Sequence, residues 1–355
     1  MDKKEETGAI LTKSLTNARA ARKGRQGALS APVGIASLGA YLPSRILTNF
    51  DLEKMVDTTD EWITTRTGIS QRRIAAPEQA TSDLAIAAAR QALERASWPA
   101  EKLDLIIVAT VTPDMFFPST ASLVQSALGA SRAGTFDLMV GCTGFIYGLV
   151  MAASGIAAGA FESALVIGAE CLSRITDWED RSTCVLFGDG AAAALLRPAP
   201  PGRGLLSFVL GNDGAGADRL KIVAGGSRVP TTEETVRARQ HFLAMEGNEV
   251  FKFAVRVMEE ASLQALERAG LQVSDIALLV PHQANIRIMD AAAKRLNLPP
   301  ERVLSNVDRY GNTSAASIPI ALNEAVESGR LKEGDIALCV SFGAGLSWAA
   351  VALRW

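Results

Sequence analysis

Histidine occurs only twice in 355 residues, and the four cysteines form no C-x-x-C pair. Those scarcities exclude the usual structural zinc site, and no metal is expected. Spread through apolar surroundings at 142, 171, 184 and 339, the cysteines describe a reduced compartment rather than a disulfide framework. Net charge is equally scarce, at −2. Without a global excess of either sign, neither nucleic acid nor an anionic membrane is attracted, and any anion site must be a local patch. No P-loop and no G-x-G-x-x-G is present; FGDGAAAA at 187–194 lacks that spacing and reads as a turn between strands. Residues 1–32 hold seven basic side chains but no apolar core of a signal peptide. They are expected to be a mobile tail, and the protein cytoplasmic.

Charge is also missing from Leu138 to Phe161. A helix that is apolar all round is buried in protein or in lipid. This one is mostly Gly, Ala and Ser, so a central core helix is expected. Hydrophobic residues make up 48% of the chain, enough for a sizeable core.

What is present is a repeat. QALERA occurs at 91–96 and at 264–269, followed by LDLIIVAT (103–110) and SDIALLVPHQ (274–283). Asp104 and Asp275 stand 171 apart, the hexapeptides 173 apart. GCTGFIYGLVMAASGIAAGA (141–160) aligns with GNTSAASIPIALNEAVESGR (311–330), and SALVIGAE (163–170) with DIALCVSF (335–342). A nearly constant offset through four elements marks an internal duplication. Each half reads helix, buried strand, second strand, apolar helix, buried strand, the pattern of α/β layers. RPAPPGRG (197–204) separates halves spanning 33–200 and 201–355.

In that pattern Cys142 and Asn312 fall at equivalent helix starts, and His282 follows a buried strand. Helix N-termini favour thiolate, so Cys142 reads either as a nucleophile or as a small buried filler. Cys171, Cys184 and Cys339 lie in strand-like apolar runs and read as core. His282 is either structural or a loop residue with a function, whereas His241 sits in a charged helical stretch and reads as solvated. Asn312 is either an N-cap or faces the same cleft as Cys142. SFGAGLSW (341–348) is either a tight hairpin or a loop whose N–H groups hold an oxyanion.

GCTGF, PHQAN, YGNTSAASIPIAL, FGAGLSW, TTDEWITTRTGI and RSTCVLFGDGAAA together resemble the β-ketoacyl-acyl carrier protein synthase III family of the thiolase superfamily. The resemblance covers residues 33–355. It implies a duplicated, five-layered αβαβα fold, usually a homodimer. It also implies a condensing acyltransferase that initiates fatty-acid synthesis without a cofactor. In that chemistry Cys142 takes an acyl group, favoured here as acetyl, from an acyl-CoA. His282 and Asn312 then stabilise the enolate formed as malonyl-acyl carrier protein loses carbon dioxide. The backbone N–H groups of Cys142 and Ala344 would hold the oxyanion. Thr58, Trp62, Arg66, Arg181, Gly247, Asn248 and Ala284 match positions that bind CoA and its pantetheine arm. Phe117 matches a residue that enters the partner subunit's acyl pocket. Lys252, Arg287, Lys294 and Arg295 match a patch that docks the carrier protein. Ala344 stands where the family commonly has glycine. The alternatives are a starter-loading relative in polyketide or other specialised synthesis, a Cys-His-Asn hydrolase, and a non-catalytic subunit of the same fold.

Overall fold

The computed structural model describes Gly27 and residues 29–355. The expected tail falls almost entirely outside the described residues. The chain runs through β1 (Val33–Tyr41), the pair β2 (Arg45–Thr48) and β3 (Gln71–Ile74), then β4 (Leu105–Ala109), β5 (Gly134–Leu138), β6 (Ala164–Glu170) and β7 (Gly190–Pro198). After the Pro-rich turn come β8 (Gly204–Asn212), the short pair β9 (Leu220–Ile222) and β10 (Leu243–Met245), β11 (Ile276–Pro281), β12 (Ile336–Gly343) and β13 (Ser347–Arg354).

Two sheets carry the architecture, ordered β1-β7-β6-β4-β5 and β8-β13-β12-β11. They repeat each other pair by pair. β1–β7 and β8–β13 are antiparallel, as are β7–β6 and β13–β12; β6–β4 and β12–β11 are parallel. The second strand expected in the C-terminal half is the exception. It shrinks to one parallel bridge between Leu279 and Val303. Pro299 and Pro300 open a 3-10 turn just before it, and proline has no N–H for a ladder.

Strand periodicity assigns each side chain to a layer. Ile107 and Val166 face a core shared with Ala337 and Cys339, whereas Ile106 and Leu165 face the opposite side. The shared core also holds the helices Gly144–Ala157 and Ser317–Glu327, which form the middle layer. Thr81–Arg95 and Thr120–Leu128 cover the outer face of the first sheet. Gly247–Ala269 and Ile286–Arg295 cover that of the second. Helix, sheet, helix, sheet, helix gives five layers. Both sheets are covered on two faces, which is why their strands read as continuous apolar runs. Gly144–Ala157 is apolar all round for the same reason. Among the described residues no helix is long and apolar enough to cross a membrane.

The two central helices begin with short 3-10 turns, Gly141–Thr143 and Ser314–Ala316. Each turn packs against the other half's strand, where only glycine leaves room. A Cβ on Gly343 of β12 would lie 2.8 Å from the Cys142 nitrogen, and one on Gly168 of β6 would collide with the Ala315 carbonyl. Matching the turns corrects the sequence alignment: Cys142 pairs with Ala315, and Asn312 lies three residues upstream of its turn's equivalent position. Smaller corrections concern three motifs. Cys184 sits in a turn rather than a strand, although it is buried with Cys171 and Cys339. FGDGAAAA leads from that turn into β7 and does not link two strands. His241 is half-buried in a turn after the helix Glu233–Arg237, not solvated on a helix.

Candidate active site

A cavity of about 560 Å³ lies where the halves meet, and Cys142, His282 and Asn312 all line it. Ala344, Gly247 and Ala284 line it as well, together with apolar walls from Phe187, Phe251 and Phe342. Cys142 and Asn312 converge because the turn that carries Cys142 and the segment just before the opposite turn border the same cavity.

Cys142 is half-buried in the 3-10 turn that opens the central helix. Burial pushes its thiol up to about 12, the Ser314 hydroxyl acts against that rise, and the Glu170 carboxylate adds to it. Its own backbone N–H favours the thiolate, as a helix start should, but burial outweighs it.

His282 follows β11 and is fully buried. Burial lowers its pKa to about 3, so the ring is neutral. Its Nδ1 lies 2.6 Å from Ser317 Oγ, and Nε2 has no partner. The Gln283 N–H donates to the same Ser317 oxygen at 3.5 Å. When the Ser317 hydroxyl donates to Nδ1, the neutral ring carries its own hydrogen on Nε2. The Phe342 ring meets the imidazole edge-on, centroids 5.5 Å apart.

Asn312 accepts the Ser314 N–H at Oδ1, 2.8 Å away. This fixes the amide orientation and leaves Nδ2 as its donor. The Asn312 backbone is held on both sides, by its N–H to Leu186 O at 2.8 Å and by Gly188 N–H to its own carbonyl at 3.0 Å. Among the described residues the N–H groups of Cys142 and Ala344 have no hydrogen-bond partner. Ala344 keeps an ordinary backbone conformation, since it is not among the non-glycine residues with positive φ. The alanine therefore presents its N–H without strain.

The CoA positions separate into two groups. Gly247 and Ala284 border the cavity, and Asn248 is exposed beside Gly247. Trp62 lies outside, between Arg66 and Arg181, whose guanidinium carbons are 4.6 and 5.1 Å from its ring centroid. Arg181 also donates to the Asp57 carbonyl at 2.6 Å and pairs with its carboxylate at 3.5 Å. Thr58 Oγ1 is buried without a partner. Asn285, a cavity residue, donates to the Arg66 carbonyl at 3.0 Å and ties this cluster to the cavity. Phe117 does not line the cavity of its own chain and is 85% exposed. In the basic patch, Lys252 pairs with Glu249 at 2.7 Å and Arg295 with Glu259 at 2.5 Å. Among the described residues Arg287 and Lys294 have no acidic partner.

Sequence reasoning missed Ser314, Ser317, Phe342 and Glu170. Glu170 had a signal: it is the one charge in the buried run ALVIGAE. Its Oε2 accepts from Thr110 Oγ1, Val111 N–H and Thr112 Oγ1 at 3.0, 3.1 and 2.7 Å, while Oε1 is buried without a partner. Among the described residues no cluster of three His, Cys, Asp or Glu could hold a metal.

The family models for "3-Oxoacyl-[acyl-carrier-protein (ACP)] synthase III" and its C-terminal part match residues 136–214 and 266–355. A beta-ketoacyl-[acyl-carrier-protein] synthase III of Symbiobacterium thermophilum is 62% identical over 91% of this chain and 98% of its own. The crystal structure of the Thermus thermophilus synthase III is 53% identical, with a TM-score of 0.85 over 91% of this chain and 99% of that one. The priming β-ketosynthase of the R1128 polyketide pathway is 38% identical, also with a TM-score of 0.85, over 93% and 98%. Near-complete coverage at such identity, on a duplicated five-layered fold with a cysteine, a histidine and an asparagine in one cavity, establishes that this chain belongs to the β-ketoacyl-acyl carrier protein synthase III family.

Proposed function

We propose that this protein joins a short acyl group from acyl-CoA to malonyl-acyl carrier protein, the condensation that starts fatty-acid synthesis. The observation that carries this is the shared cavity, which sets one nucleophile beside two side-chain donors with no other partner. The Cys142 sulfur attacks the acyl-CoA carbonyl, the C–S bond to CoA breaks, and an acyl-cysteine forms. Malonyl thioester then enters. His282 Nε2–H and Asn312 Nδ2–H donate to its thioester oxygen and stabilise the enolate left when carbon dioxide departs. The enolate carbon attacks the acyl-cysteine carbonyl, and the β-ketoacyl thioester leaves with the thiol restored. The N–H groups of Cys142 and Ala344 are free for the tetrahedral oxyanion, each such donor contributing roughly 3 kcal/mol.

The substrate contacts extend this reading. Trp62 between two arginines suits a nucleotide base flanked by phosphates, and Gly247, Asn248 and Ala284 suit the pantetheine arm. The basic patch suits an acidic carrier protein. Five large apolar side chains left exposed, Phe116, Phe117, Phe136, Met139 and Met151, support a homodimer. Met139 also borders the cavity, which fits a partner's Phe117 closing a short acyl pocket and an acetyl starter. No resident cofactor is needed, and four free cysteines fit the cytoplasm. The test is intact-protein mass spectrometry with acetyl-CoA, then malonyl-acyl carrier protein. Acetyl on Cys142 that vanishes as acetoacetyl-carrier protein forms supports condensation. Loss to water alone supports a hydrolase. Faster loading of longer starters supports a priming role like that of the R1128 polyketide relative.

A further inference from the structure

We propose that Gln283 is a positioning residue that sets the spacing of the His282 and Asn312 donors, so that both meet one enolate oxygen. The proposal rests on the assignment of those two side chains to the malonyl half-reaction.

Gln283 is fully buried, next in the chain to His282. A buried amide costs free energy unless it is paired, and here both nitrogen hydrogens and the oxygen have partners. Nε2 donates to the Pro281 carbonyl at 2.7 Å and to the Leu304 carbonyl at 3.1 Å. Oε1 accepts the Asn306 N–H at 2.9 Å. Two carbonyls and one N–H admit a single orientation of the amide.

One of these bonds acts on His282, and two act on the chain that leads to Asn312. The Pro281–His282 peptide is held at both ends, its carbonyl by Gln283 and its N–H by the Val340 carbonyl at 2.8 Å. A planar peptide held in this way fixes where the histidine leaves the strand, and Ser317 fixes its ring. On the other side, Leu304 and Asn306 open the segment that runs through the helix Val307–Tyr310 to Asn312. The Leu304 N–H bonds Leu279 of β11 at 2.9 Å, so the segment is moored along that strand, and Gln283 sets its approach at the level of His282. The Asn306 carbonyl then starts the helix, accepting from the N–H groups of Arg309 and Tyr310 at 3.1 and 3.3 Å. The Asn306 side chain donates at 2.9 Å to Glu324 of the central helix Ser317–Glu327, and Glu324 also holds Arg309 and Tyr310. The far end of the segment is fixed where Asn312 meets Leu186 and Gly188. A single amide thus ties the strand end that carries the histidine to the helix that delivers the asparagine.

The test uses full-length wild type, Gln283→Met, Asn312→Ala and the double variant. Met keeps the length of the side chain but has no amide. Acetyl transfer from acetyl-CoA to Cys142 is followed by mass spectrometry. Carbon dioxide release is measured over a range of malonyl-acyl carrier protein concentrations. Gln283→Met is expected to lower kcat for release about 30-fold, the order of loss that a misplacement of about 1 Å brings, with KM and acetyl transfer within about 2-fold of wild type. In the Asn312→Ala background the same substitution should cost less than about 3-fold, because no second donor is left to space. Equal losses in both half-reactions, a loss confined to KM, losses that add in full with Asn312→Ala, or unchanged release would overturn the proposal. If Gln283→Met does not fold, Gln283→Asn decides by the same readouts. It keeps an amide one methylene too short to reach both segments and should lower release about 10-fold. Unchanged release in Asn312→Ala would instead overturn the assignment of donors on which the proposal rests.

Discussion

The parallel strands β4 and β11 end near the interface of the two halves, at Ala109 and Pro281. The next residues are Thr110 in one half and His282 in the other. On the neighbouring strands stand Glu170, the last residue of β6, and Phe342, near the end of β12. In the N-terminal half the pair is a hydroxyl donating to a carboxylate at 3.0 Å; in the C-terminal half it is an imidazole against a phenyl ring. One scaffold therefore carries two microenvironments. Beside Phe342 the histidine has no acid to pair with and stays neutral, fit to donate from Nε2. In the other half Glu170 is buried with three donors on one oxygen. The duplication fixes strands, turns and their mutual docking, while the chemistry rests on positions where the halves differ.

This division of labour is broken most directly by removing its two ends. Cys142→Ala should abolish the acyl adduct and lower condensation by on the order of 10³-fold or more. His282→Ala and Asn312→Ala should lower condensation by roughly 10²–10³-fold, the loss of an oxyanion donor, while acetyl loading stays within a few-fold. Adduct formation by mass and carbon dioxide release separate the steps. If His282→Ala removed loading as fully as decarboxylation, the halves would not divide the work as described.

A pH titration sharpens the Glu170–Phe342 contrast. Burial raises Glu170 in the fold from the ordinary glutamate value of 4.5 to about 7. Between those values the folded state binds more protons than the unfolded one, so its contribution is full below pH 4.5 and is lost as pH rises through 7. The loss is about 3 kcal/mol. Glu170→Gln should therefore gain about that much on wild type between pH 4.5 and pH 8 in urea unfolding. His282, present in both proteins, cancels from the difference. A constant difference across pH would refute the burial assigned to this carboxyl.

The duplicated fold and the three central residues were legible because long apolar runs and a fixed offset survive in one dimension. Cys142 between glycines and His282 in PHQAN sit at strand-to-helix junctions that periodicity marks. Ser314 was not legible, since its role depends on a strained backbone and on the opposite half's β6. Nor was the resting state of Cys142, because the helix start is visible in sequence whereas the depth of its burial is not. The offset of 170 that paired Cys142 with Asn312 failed because the two 3-10 turns are preceded by segments of different shape. The lost fifth strand in the C-terminal half has the same origin, in Pro299 and Pro300.

The two glycines at the dockings test how tightly each turn is packed. Gly168→Ala and Gly343→Ala should each destabilise by about 1–3 kcal/mol, as overpacking against backbone does. Urea midpoints at pH 7 measure this. Gly343→Ala should also slow acetyl loading, because its Cβ crowds the Cys142 nitrogen, 2.8 Å away. Equal stability losses would show that both dockings hold the fold alike; a neutral Gly168→Ala would show that only the nucleophile's side is tightly packed.

The smallest effects are expected on the surface, where only the C-terminal half carries the basic patch. Arg287 lies over the ring of Phe251, a cavity residue, at 5.7 Å. It and Lys294 have no acidic partner among the described residues, so their charge is available to a partner. Lys252 and Arg295 are already paired with Glu249 and Glu259. Arg287→Glu and Lys294→Glu should each raise the KM for malonyl-acyl carrier protein roughly 5-fold at low salt, with the KM for acetyl-CoA unchanged. Lys252→Ala and Arg295→Ala should change it less than about 2-fold, since exposed ion pairs contribute little. Added salt should shrink the first pair of effects, because charges steering an encounter are screened within about 10 Å at 0.1 M. If all four substitutions acted equally, docking would be governed by the net charge of the surface rather than by the two cations without an acidic partner.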